Sequence, residues 1–176
     1  AVCSRTLEKV EAFARRYGVQ AYTNLEQMLV EAKVQALVII TPHPTHAAQI
    51  ETAARHQVHV LVEKPLASDL TDCDRAIEAC EQASVQMGVI SQRRLYEPVV
   101  RMRQAIEADK IGRPVLATCI VMGWRDEAYY QSAPWRGWWV TEGGGVLVNQ
   151  TPHQLDLFQW LMGPIDELFG YWDNLN

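Results

Sequence analysis

Hydrophobic positions change their period several times along the chain, and the changes mark out alternating helices and strands. Leu7, Val10, Phe13 and Tyr17 recur at helical spacing after Thr6, a residue suited to an N-cap. Arg15 and Arg16 lie in the last turn and Gly18 follows as a stop signal. Asn24 with Gln27 reads as a capping box for a short helix carrying Leu25, Met28 and Leu29. Residues 36–40 form an unbroken run of β-favouring apolar residues, the pattern of a strand buried on both faces of a parallel sheet. The cycle then repeats. A helix over about 45–56 leads to a strand over 58–62, and a helix capped near Thr71, with Asp72 and Asp74 in its first turn, leads to a strand over 85–90. Strands alternating with helices of this length predict right-handed βαβ crossovers and a doubly wound, Rossmann-type α/β sheet.

The grammar changes after Tyr96. A helix begins with Pro98 in its first turn and ends near Ile111-Gly112, and 114–122 reads as a longer strand. Four of the six tryptophans fall between Trp124 and Trp139. Gly143-Gly144-Gly145 opens a further helix, and 167–172 reads as a final strand. Residues 1–96 are therefore expected to form a partial doubly wound domain, and 97–176 the start of an α+β domain.

Composition narrows the functional classes. Hydrophobic residues make up 48% and charged residues 21% of 176, the mix of an ordinary globular chain. A net charge of −5 argues against a nucleic-acid partner, which calls for a basic stripe. The apolar runs are strand-sized, too short to cross a bilayer. Cys3, Cys73, Cys80 and Cys119 form no CxxC pair and read as reduced, largely buried thiols, as expected of a cytoplasmic protein.

Ligands of open α/β sheets bind beyond the carboxyl ends of the strands. One such end runs into Thr41-Pro42-His43-Pro44-Thr45-His46, and the next into Glu63-Lys64-Pro65. A lysine fixed there can trade a proton with a substrate hydroxyl, or stand in a structural ion pair. Beyond the triple glycine, Asn149, His153, Asp156 and Trp160 share one face of a continuous helix, with Pro152 freeing the Val148 carbonyl and kinking it. That stripe suits a polyhydroxylated ligand, and equally a satisfied buried hydrogen-bond network. The tryptophan-rich segment, with Trp135 and Arg136 as candidate substrate contacts, serves either as packing under a long loop or as a stacking platform for sugar rings. His43 and His46, and His56 and His59, have the spacing of metal ligands, but they lie on loops and element ends without supporting carboxylates. No metal site is expected, and a metal-dependent hydrolase is the least favoured reading.

Four motifs in series, Thr41-Pro42-x-x-x-His46, Glu63-Lys64-Pro65, Arg94 within 92–98, and the segment from Gly143-Gly144-Gly145 through Asn149 and His153 to Asp156, resemble the glucose–fructose oxidoreductase / inositol dehydrogenase / rhizopine catabolism (Gfo/Idh/MocA) family. The resemblance spans essentially the whole chain. It implies an NAD- or NADP-dependent oxidoreductase acting on a sugar, a polyol or a related small carbohydrate, and a homo-oligomer assembled through the second domain. By that similarity Lys64 meets the reacting hydroxyl, His153 exchanges its proton, and Asn149 stands where many members carry an aspartate. Ser4, Arg5, Thr41, Pro42, His46, Glu63 and Lys64 fall at the cofactor, and Arg94, Trp135, Arg136, Asn149 and His153 at the substrate. Ser4 and Arg5 tilt the expectation toward the 2′-phosphate of NADP. The family's first strand and its GxGxxG turn have no counterpart within the sequence. In the usual doubly wound order that strand is central, so a gap in the sheet is expected, left open by an incomplete chain or filled by a partner. The competing reading is a non-catalytic carbohydrate-binding or assembly module that has lost dinucleotide binding.

Overall fold

One local device recurs through the α/β portion of the computed structural model, which describes residues 1–171 and 173. Helix α1 (Leu7–Tyr17) ends in Gly18 at φ 65, a left-handed conformation that glycine adopts without steric cost. Helices α2 (Leu25–Glu31), α3 (His46–Arg55) and α4 (Leu70–Gln82) end the same way, at Lys33, Gln57 and Ser84, each with positive φ. In all four the next residue is a valine whose N–H closes the turn: Val19 on Ala14, Val34 on Leu29, Val58 on Ala53 and Val85 on Cys80. Three of these valines then lead the chain toward strands β3 (Ala36–Ile39), β4 (His59–Glu63) and β5 (Met87–Ile90).

The helix starts follow from side-chain caps. Asn24 Oδ1 accepts the Gln27 N–H at 2.9 Å, while the Gln27 side chain turns to Glu31 instead of completing the box. The cap of α4 is Asp69, not Thr71, because Asp69 Oδ1 accepts the Asp72 N–H at 2.8 Å and the helix already begins at Leu70. Thr6 occupies the N-cap of α1 without a side-chain bond.

The strands form two parallel ladders. Short β1 (Val2–Cys3) pairs with β2 (Ala21–Tyr22), a strand too brief for periodicity to reveal. Strands β3, β4 and β5 lie side by side in that order, with Ile39 opposite Val62 and Val62 opposite Val89. The two ladders are separate sheets among the described residues, in keeping with the expected gap. The core is one cluster in which Ile39, Val60 and Val62 meet Ala47, Ile50, Ala53 and Ala54 of α3 and Ala76 and Cys80 of α4. The alanines let α3 approach both the sheet and α4 closely.

The expectation that the 36–40 strand is covered on both faces is corrected. Val38 is 57% and Leu61 43% exposed, because α3 and α4 cover only the face carrying Ile39 and Val62. The expected strands over 114–122 and 167–172 are not formed either: no strand is assigned over 114–122 or 167–171, and Trp172 lies outside the described residues. Strand propensity needs a ladder partner to become a strand. Without one, Val115, Leu116 and Met122 stand almost fully exposed.

The described residues divide into two compact units: Ala1–Ile90 with Arg125–Asn149, and Ser91–Trp124 with the described residues from Gln150 onward. The first unit also holds α6 (Glu127–Gln131), α7 (Trp139–Glu142) and α8 (Val146–Asn149). The second contains α5 (Glu97–Glu107) and α9 (Pro152–Met162). Pro152 does not kink a continuous helix. It sits at the first position of α9, where its missing N–H costs nothing, and the helical pattern is interrupted at Gln150 and Thr151. No helix among the described residues is long and apolar enough to cross a membrane.

Candidate active site

In the first unit, three segments converge on the carboxyl ends of β3 and β4. The β3 end continues into a 3₁₀ turn at His43–Thr45, closed by the Thr45 N–H on the Pro42 carbonyl. The hydroxyls of Thr41 and Thr45 lie 2.8 Å apart, and Gln49 of α3 reaches both. His46 is fully buried. Its Nδ1 lies 2.9 Å from the Pro65 carbonyl and its Nε2 2.8 Å from the Thr41 carbonyl. His46 thus ties the two strand-end loops together from behind, with both ring nitrogens engaged on the backbone.

The β4 end delivers Glu63 and Lys64. The Glu63 carboxylate accepts the Lys64 backbone N–H at 3.1 Å, and the Lys64–Pro65 peptide is cis. Lys64 Nζ donates to the backbone carbonyl of Asn149 at 2.9 Å, so two residues far apart in sequence meet at one point. Asn149 in turn donates its side-chain amide to Glu142, whose other oxygen accepts the Gly137 N–H at 3.0 Å. Glu142 is buried to 4% exposure.

The triple glycine makes this possible. Gly143 caps α7 at φ 76, and a Cβ there would lie 2.6 Å from the Ser68 carbonyl oxygen. Gly144, at φ 153, would press a Cβ to 2.8 Å of Val148. Neither position admits a side chain, so the turn from α7 to α8 is held tight against the loop that follows Lys64.

His43 packs its ring edgewise against Trp135 and His46, with centroids 5.6 and 5.9 Å away. Burial pulls its imidazole below the usual histidine value, the charges of His46 and Lys64 add to that, and Glu142 opposes them in smaller measure. Its buried Nδ1 has no hydrogen-bond partner among the described residues. Arg136 lies between the rings of Tyr129 and Trp135, 4.4 and 4.5 Å from their centroids, and donates to the Tyr129 hydroxyl. In the tryptophan-rich segment Trp135 is half-buried against His43 and Arg136, while Trp138 and Trp139 are largely exposed. Ser4 and Arg5 follow the carboxyl end of β1, where the Ser4 N–H donates to the Tyr22 carbonyl and Arg5 is exposed.

In the second unit, Arg94 is held by a two-pronged pair with Asp156, at 2.8 and 2.6 Å, and its guanidinium lies 5.4 Å from the Trp160 ring centroid. That pairing holds its guanidinium above the usual arginine value. His153 is the second residue of α9 and is half-buried. Of the polar stripe expected on one helix, His153, Asp156 and Trp160 share α9, whereas Asn149 closes α8 in the first unit.

Glu142 was not singled out by its sequence pattern, and His43 was weighed only as a metal ligand and set aside. The available signal was a lone carboxylate between Trp138-Trp139 and the glycines, and a histidine flanked by two prolines at a strand end. Among the described residues no group of histidines, cysteines and carboxylates is arranged to hold a metal ion.

Residues 1–91 match the oxidoreductase family with an NAD-binding Rossmann fold, and 99–176 match the GFO/IDH/MocA C-terminal domain. The 1,5-anhydro-D-fructose reductase of Ensifer adhaerens is 30% identical over 90% of this chain and 47% of its own length. The myo-inositol 2-dehydrogenase of Thermotoga maritima is 26% identical over 93% of this chain and 47% of its own. The crystal structure of the WlbA dehydrogenase from Bordetella pertussis, in complex with NADH and UDP-GlcNAcA, superimposes with a TM-score of 0.85 at 34% identity, covering 92% of this chain and 46% of that one. The chain thus spans about half the length of the relatives it matches. With both family domains matched in order on a Rossmann-like parallel sheet, this chain belongs to the Gfo/Idh/MocA family of oxidoreductases.

Proposed function

We propose that this chain carries the proton-handling half of an NAD(P)-dependent dehydrogenase or reductase of a sugar, polyol or related small carbohydrate. Lys64 is the observation that carries the reading. It stands at a strand's carboxyl end with its backbone fastened by Glu63 and its ammonium set on the Asn149 carbonyl. An ammonium so placed stabilises oxyanion character on a substrate hydroxyl as its proton leaves. His153 takes or returns that proton, as the side chain best suited to exchange near neutral pH. Asn149 offers hydrogen bonds but cannot relay a proton. Arg94, Trp135 and Arg136 are proposed as substrate contacts.

The donor set suits a nicotinamide dinucleotide. Ser4 and Arg5 after β1, Thr41 and Pro42 after β3, and Glu63 and Lys64 after β4 would hold it, with His46 fixing the loops that bear them. Such a cofactor, when bound, supplies or accepts the hydride. An exposed Arg5 favours a 2′-phosphate, and hence NADP, on the adenosine ribose. Residues 1–96 act in this proposal as the dinucleotide-binding region, and 97–176 as the substrate and oligomerisation region.

The test is hydride transfer by the active enzyme against a panel of sugars and polyols, with both cofactors in parallel. Turnover with a carbohydrate, and a higher kcat/KM with NADP than with NAD, is the expected result. Turnover confined to non-carbohydrate substrates overturns the substrate class, and a clear preference for NAD overturns the role given to Arg5.

A further inference from the structure

A carboxylate buried to 4% exposure, close to a lysine assigned to chemistry, calls for a role. Removing a carboxylate from water is costly unless donors and a counter-charge compensate it. Glu142 has two neutral donors, and the nearest cation it reaches through them is one residue removed. One oxygen accepts the Gly137 N–H at 3.0 Å, the other accepts the Asn149 side-chain amide, and the backbone carbonyl of that same Asn149 accepts Lys64 Nζ at 2.9 Å. The left-handed turn at Gly143 follows Glu142 at the end of α7 and leads into α8, whose last residue, Asn149, meets the Glu142 side chain.

We propose that Glu142 is the positioning residue of the Lys64 site: its buried carboxylate holds Asn149, and through Asn149 it fixes the Lys64 ammonium and supports its positive charge. This rests on reading Lys64 as the group that meets the reacting hydroxyl. It also accounts for the amide at position 149. Glu142 presents two acceptors to two donors, and at position 149 the amide nitrogen supplies the second. A carboxylate at 149 would set oxygen against oxygen. The pair is complementary in one order, Glu142 as acceptor and Asn149 as donor.

Titratable or charged groups near this contact include His43 and His46 from the turn after β3, Glu63 ahead of Lys64, and Arg136 ahead of Gly137. Lys64 lowers and Glu142 raises the proton affinity of His43, so the charges of both already bear on one ring. Neither histidine can stand in for the carboxylate: both ring nitrogens of His46 lie at backbone carbonyls, and an imidazole carries no negative charge.

The test follows the Lys64 ammonium directly, by NMR titration of lysine-labelled protein, and needs neither cofactor nor substrate. In Glu142→Gln, Lys64 should lose its proton at a pH lower by about half a unit or more, the direction expected when a nearby opposite charge is removed. Adding Asn149→Asp to Glu142→Gln reverses donor and acceptor while keeping shape. It also returns one negative charge to the pair, so the double variant should regain most of the parent titration. A folded Glu142→Gln protein whose Lys64 titrates as in the parent overturns the proposal. Should Glu142→Gln fail to fold, recovery of folding and of the Lys64 titration by the added Asn149→Asp supports it, and no recovery overturns it. A shifted Lys64 titration in an enzyme whose turnover ignores Lys64 would overturn the proposed catalytic role and leave that of Glu142 standing.

Discussion

The ammonium of Lys64 lies 2.9 Å from the backbone carbonyl of Asn149, joining the end of a strand in the doubly wound sheet to the end of a helix after the triple glycine. A backbone carbonyl is an acceptor that no substitution at 149 removes. The lysine is therefore oriented in part by main chain.

The first prediction follows from that. Replacing Lys64 with methionine removes its hydrogen bond to the Asn149 carbonyl in a partly buried site, a loss of about 1 kcal/mol in stability for that bond. In the active enzyme the same change should lower turnover by about 10²-fold or more, the usual scale for a positioned acid–base group. Thermal melts and steady-state kinetics on the same variant give both quantities. A large loss of stability with near-normal turnover would make Lys64 a structural residue.

Gly143 yields a prediction about folding alone. Alanine there must hold φ near 76 and place its Cβ 2.6 Å from the Ser68 carbonyl oxygen, a fixed backbone atom. Left-handed strain and the clash together should cost roughly 2–4 kcal/mol. Gly145, whose Cβ would meet nothing nearby, is the control, and alanine there should be far milder. Denaturant unfolding of the two variants compares them, and equal losses would show that the approach to Ser68 is not what requires glycine.

His43 gives a pH dependence with a definite sign. Burial holds its imidazole below 6.5, the usual histidine value, so the unfolded chain takes up a proton at a higher pH than the folded one. Stability attributable to His43 is therefore intact above about pH 7 and falls as the pH drops through roughly 6.5 and below. Phenylalanine keeps the edge contact with Trp135 and cannot take up the proton. The His43→Phe protein should lose less stability than the parent between about pH 7 and 5. A parallel fall in both would assign the proton uptake to another group.

How far these features could be read from sequence depends on the range of the interaction that fixes each. Strands β3, β4 and β5 and their helices were legible because apolar runs and caps are local, and Asn24 does cap α2 as its spacing predicts. The helix ends were half legible: Gly18 announces itself, but Lys33, Gln57 and Ser84 adopt the same left-handed turn with residues that give no such signal. There the following valine, drawn toward the core, sets the conformation. Segment 114–122 has strand propensity and no strand, because pairing is supplied from outside the segment. Val38 carries the apolar pattern of a fully buried strand and is 57% exposed, since covering a face is likewise a property of neighbours. At the site, Lys64 and its strand end were marked by motif, whereas Glu142 was not. Its significance arises after the left-handed turn at Gly143, and only the folded chain brings it to Asn149.

His153 provides the last prediction. It opens α9 one residue after Pro152, which starts the helix instead of bending it, so the ring sits in a first turn with a fixed backbone. In the proposed mechanism it takes the hydroxyl proton as the hydride leaves the same carbon, while Lys64 stabilises the developing charge. Asn149 has no proton to relay, which leaves the exchange to His153. In the oxidative direction, activity of the parent enzyme should rise through roughly pH 6 to 8 as the base becomes neutral. His153→Asn keeps a polar side chain near the size of the imidazole but cannot act as a base, and should lower kcat by about 10²-fold or more while abolishing that limb of the profile. The decisive comparison is with Lys64→Met, which should lower kcat yet keep the rising limb, because there the base is still in place. If instead His153→Asn retains the parent profile and Lys64→Met loses it, the proton goes to Lys64 and His153 serves only to orient the substrate.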